Sequence, residues 1–72
     1  MLTLEKMKER VSKYQMYFDD DFKEVLITQG VGQTRWVKVS YDRARQWIEA
    51  GIDDLDCKSK EQMLELIDSW EK

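Results

Sequence analysis

The sequence predicts a small α+β fold in the order helix, β-hairpin, helix, helix, with the hairpin packed on the helices. Three observations predict it: apolar residues at helical spacing near the N-terminus, two β-rich runs on either side of Gly30-Val31-Gly32, and two later helical stretches, each opened by a serine.

Leu4, Met7, Val11, Tyr14 and Phe18 recur at steps of three and four with Lys and Glu between them, which predicts an amphipathic helix capped by Thr3. Asp19-Asp20-Asp21 should end it, because carboxylates are unfavourable at the negative end of a helix. The runs from Phe22 to Gln29 and from Thr34 to Val39 are rich in Val, Ile and Thr, and the glycines between them mark a hairpin turn. With Gly30 to Gly32 as the loop, Thr28 faces Thr34, Leu26 faces Trp36 and Glu24 faces Lys38. Val25, Ile27, Val37 and Val39 then share the opposite face and form the hairpin's contribution to the core.

Ser40 is placed to cap a helix carrying Tyr41, Ala44, Trp47 and Ile48 on one stripe, and Gly51 stands where a left-handed C-cap belongs, followed by Ile52. After the acidic link Asp53 to Asp56, Ser59 and Gln62 have the spacing of a capping box ahead of Met63, Leu64, Leu66, Ile67 and Trp70. Trp47 and Trp70 match these apolar stripes and are assigned to the core. Trp36 has two readings, burial beneath the first helix or partial exposure beside Leu26 as an interface patch.

A chain of 72 residues bounds the count at one domain, spanning 1–72. Its 42% hydrophobic and 38% charged residues, with no proline, are too apolar for disorder and too interrupted for a membrane span. No signal peptide or anchor is visible. Cys57 is the lone cysteine and there is no histidine, so a disulfide scaffold and a zinc site are not expected, and a reducing cytoplasm fits best.

The net charge of −3 conceals alternating blocks. Lys6, Lys8, Arg10 and Lys13 outweigh Glu5 and Glu9 in the first stretch, and Asp19, Asp20, Asp21 and Glu24 surround Lys23 in the next. Arg35, Lys38, Arg43 and Arg45 outweigh Asp42, and Glu49, Asp53, Asp54 and Asp56 follow.

No catalytic constellation emerges, and an enzyme is not expected. Without histidine the commonest general base is missing, and Cys57 beside Asp56 sits where negative charge weakens a thiol as nucleophile. Asp54, Asp56 and Glu65 have the first, third and twelfth spacing of a calcium loop, but Lys58 and Ser59 occupy positions that need a ligand and a glycine. Gly30-Val31-Gly32 lacks the lysine and hydroxyl of a phosphate loop. No cofactor or metal is expected.

The expected activity is protein–protein interaction, as a small inhibitor or adaptor of the kind phages and mobile elements encode, binding a protein partner or a second copy. Leu26, Arg35, Trp36, Lys38, Arg43 and Arg45 are the candidate binding residues. The alternative is a nucleic-acid-binding regulator in which the cations of segment 35–45 take phosphates while Trp36 stacks on a base. The acidic blocks on either side oppose a polyanion.

Overall fold

The computed structural model describes residues 3–29 and 35–72. Helix α1 (Leu4–Arg10) leads through a turn of 3₁₀ helix (Val11–Lys13) into strands β1 (Tyr14–Asp19), β2 (Glu24–Gln29) and β3 (Val37–Val39). Helix α2 (Tyr41–Ala50), strand β4 (Asp53–Asp54) and helix α3 (Lys60–Glu71) follow. The strands form one mixed sheet in the order β3-β2-β1-β4, antiparallel except where β1 and β4 run parallel.

The first expected helix is the main correction. It stops at Arg10, and Tyr14 to Phe18 belong to a strand. A four-residue step keeps two side chains on one side of either a helix or a strand, so Tyr14 and Phe18 fit both periods. Met16, midway between them and buried, shows that the period is two. Asp19-Asp20-Asp21 consequently turns a hairpin rather than ending a helix. The Asp19 carboxylate accepts the amides of Asp21 and Phe22 at 3.0 and 3.4 Å, and Lys23 adopts a left-handed φ of 54° that closes the turn. Phe22, expected in the strand, lies in this turn and is 74% exposed.

The β2–β3 pairing also differs. Val25 opposes Val39, Leu26 opposes Lys38 and Ile27 opposes Val37, a displacement of two residues from the expected register. An even displacement keeps every side chain on its own face, so the division between Val25, Ile27, Val37 and Val39 on one side and Leu26 and Lys38 on the other survives. The observed register matches valine and isoleucine with valine on the core face, whereas the expected one would have set Arg35 opposite Ile27 there. Glu24 and Lys38 still meet, diagonally, in an ion pair of 3.4 Å. The expected loop Gly30 to Gly32 and the partner Thr34 lie outside the described residues.

The later elements form where local signals place them. Thr3 caps α1 by accepting the Lys6 amide, and Ser40 caps α2 by accepting that of Arg43. Gly51 has φ 100°; its amide bonds to Ile48 and that of Ile52 to Trp47, the paired bonds of a Schellman cap. Both halves of the Ser59–Gln62 capping box are present.

All three helices pack on one side of the sheet. Met7 of α1, Ala44, Trp47 and Ile48 of α2, and Met63 and Ile67 of α3 enclose Met16, Phe18, Val25 and Ile27. Trp47 meets the ring of Tyr14, and Trp70, partly buried, rests against Phe18 and Tyr41. No described helix is long and apolar enough to cross a membrane.

Candidate interaction surface

Side chains that oppose one another in a ladder share a face. The β1–β2 and β2–β3 pairings therefore put Gln15, Tyr17 and Asp19 with Glu24, Leu26 and Lys38 on the side away from the helices, and the β1–β4 pairing adds Asp53. Tyr17 directly opposes Leu26. Trp36, immediately before β3, tilts against Tyr17 with ring centroids 5.8 Å apart. Tyr17, Leu26 and Trp36 are each half-buried, so this apolar row crosses three strands and keeps part of its surface in water. Asp19 and Glu24 border it at the β1–β2 turn.

Three of the candidate residues thus come together on the open face: Leu26, Trp36 and, through its pair with Glu24, Lys38. Arg35 is tied to the same region through its backbone carbonyl, which accepts the hydroxyl of buried Thr28. The side chains of Arg35 and Arg43 border a cleft on the opposite, helix-bearing side. Arg45 stands apart from both. It joins Asp42 at 3.1 Å, Asp68 at 3.0 Å and Glu71, binding α2 to the end of α3. Tyr17 is the contributor that the sequence reading left out, because it fell inside the expected helix. The alternation of Tyr14, Met16 and Phe18 is the signal that places it on the other face.

Of the carboxylates that invited a cation reading, Asp54 and Asp56 have structural partners. Asp54 sits on the core face with its side chain fully buried, and its Oδ2 accepts the amides of Asp56 at 2.9 Å and Lys58 at 3.2 Å. The Lys58 ammonium lies 3.7 Å away, while Oδ1 is buried without a hydrogen-bond partner among the described residues. Cys57, exposed and at φ 61°, lies within this turn. Among the described residues no group of three or more Cys, Asp or Glu is arranged to hold a metal ion.

Comparison with known protein families, with curated proteins and with solved structures finds no match. The functional reading therefore rests on the geometry of the surface.

Proposed function

We propose that the protein is a non-catalytic protein-interaction module, an inhibitor or adaptor in kind, that engages its partner through the open face of the sheet. The observation that carries this reading is the row Tyr17, Leu26 and Trp36 on the face of the sheet that none of the described helices covers. A fold this small has few large apolar side chains for its core, and three of them lie on the far side of the sheet. Contiguous apolar surface of this kind, rimmed by charge, marks interfaces, and aromatic anchors near the centre of an interface carry much of its binding energy. Asp19, Glu24 and Lys38 supply a polar rim of both signs.

The test is affinity capture from nuclease-treated lysate with the intact chain, repeated with Trp36→Ala and Tyr17→Ala. The captured protein should be retained by the unaltered chain and lost from both variants, each still folding cooperatively and losing much less stability than a core-aromatic deletion. Capture unchanged by both substitutions would sink the proposal. A concentration-dependent dimer abolished by Trp36→Ala would make a second copy the occupant.

A second reading draws on the same two rings. Tilted aromatics on an open sheet beside Lys38 are groups on which unpaired bases can stack. The carboxylates of Asp19, Glu24 and Asp53 share that face, and Lys38 is engaged by Glu24, so the protein reading is favoured. Salt separates the two. Contacts to four or so phosphates would lose orders of magnitude in affinity as salt rises, and an apolar interface would weaken only modestly.

A further inference from the structure

On the helix-bearing side an open cleft of about 360 Å³ lies between β3 and α2. Its lining is mostly apolar, from Tyr14, Ile27, Val37, Val39 and Trp47, with Thr28, Arg35 and Arg43 added. Val37 faces the core side, since it opposes buried Ile27, yet it remains 52% exposed. The helices stop short of the last strand. That strand is also the end of the sheet: β3 pairs with β2 alone, and its outer backbone edge has no ladder partner among the described residues. Neither Arg35 nor Arg43 has a carboxylate within ion-pair distance among the described residues, whereas Lys38, Arg45, Lys58 and Lys60 all do.

We infer that this cleft and the β3 edge form a second binding site, independent of the open face, for an extended acidic segment of a protein. The segment adds to β3 as a strand, sets one apolar side chain against Val37 and Trp47, and sets carboxylates against Arg35 and Arg43. Edge pairing supplies backbone hydrogen bonds, and alternate side chains then select the sequence. The charge sign follows from the two unmatched guanidiniums, each able to take a carboxylate in two parallel hydrogen bonds. An oligonucleotide would satisfy the cations but would leave the apolar lining and the strand edge without partners.

The probe is an acetylated, amidated peptide that alternates glutamate with valine around a central phenylalanine, titrated into the isotopically labelled chain and followed by amide and indole NMR shifts. Saturable shifts at Val37, Lys38, Val39 and the Trp47 indole are expected. Affinity should fall about tenfold or more with Arg43→Gln, and equally when glutamine replaces glutamate in the peptide. The second arm needs no altered protein and so holds even if the variant is unstable. Tyr17→Ala, two strands away on β1, should leave the titration unchanged, which separates this site from the open face. Shifts that fail to saturate at millimolar peptide, shifts centred on Tyr17 and Leu26, affinity indifferent to peptide charge, or tighter binding of a thymidine oligonucleotide at the same residues would each overturn the inference.

Discussion

The two faces of the sheet are built from the same strands, alternate residues going to each, and they meet different fates. Tyr14, Met16 and Phe18 point toward the helices, whereas Gln15, Tyr17 and Asp19, interleaved with them, point away. On the first face the helices close over a core of aliphatic, methionine and aromatic side chains everywhere but beside β3, and one carboxylate within it, Asp54, is held by backbone amides. On the second, aromatic and aliphatic surface remains half in water and the carboxylates are solvated. Stability is thus concentrated on one side, and the other is free to carry recognition. The neighbouring pair Asp53 and Asp54 shows the division most sharply, since the same side chain is exposed on one face and fully buried on the other.

The largest effect should come from breaking the closed face. Phe18→Ala removes a ring that packs on Trp70 and lies 5.7 Å beneath the Lys58 ammonium, and a urea melt should show a loss of about 3 to 5 kcal/mol. Asp54→Ala comes next. It removes the buried acceptor of the Asp56 and Lys58 amides in a partly buried turn and should cost about 2 kcal/mol, while Asp53→Ala on the open face should change stability by less than about 0.5 kcal/mol. Equal losses for the two aspartates in the same melt would erase the distinction between the faces.

Trp36→Ala should fall between those limits. A half-buried ring that touches Tyr17 from the solvent side contributes about 1.5 kcal/mol to the fold, well under the loss for a core aromatic, while partner binding is abolished. A loss as large as that of Phe18→Ala would return Trp36 to the core and end the interface reading. A smaller loss than for Trp36→Ala is expected at Gly51, which turns the chain out of α2 toward β4. A β-carbon there would meet no atom within 4 Å, so Gly51→Ala isolates the backbone strain of a positive φ and should cost about 1 kcal/mol. A stabilising alanine in the same denaturation assay would refute the left-handed cap.

What proved legible in the sequence is what depends on neighbours a few residues away. The caps at Thr3, Ser40, Gly51 and Ser59 with Gln62 stand where the residues place them, because each satisfies backbone groups in the adjacent turn. The split between Leu26 with Lys38 and the four aliphatics also followed from alternation alone, and it survived the shift in register. The identity of Tyr14 to Asp19 did not. Spacing at those positions is consistent with a helix or a strand, and the choice was made by pairing with β2 and β4, up to about forty residues away in sequence.

By itself, then, the sequence determined where the helices begin, that β2 and β3 are extended, and the alternation that gives a strand two faces, all consequences of local backbone chemistry and side-chain period. Tertiary structure decided which period Tyr14 to Phe18 would follow, which register would match Val25 with Val39, and which carboxylate would be buried at β4. It also decided where the cations go: Arg45 to a junction between helices, Arg43 to a cleft beside β3. These outcomes depend on apolar area buried between segments distant in the chain, and that area exists only once the helices have closed over one side of the sheet.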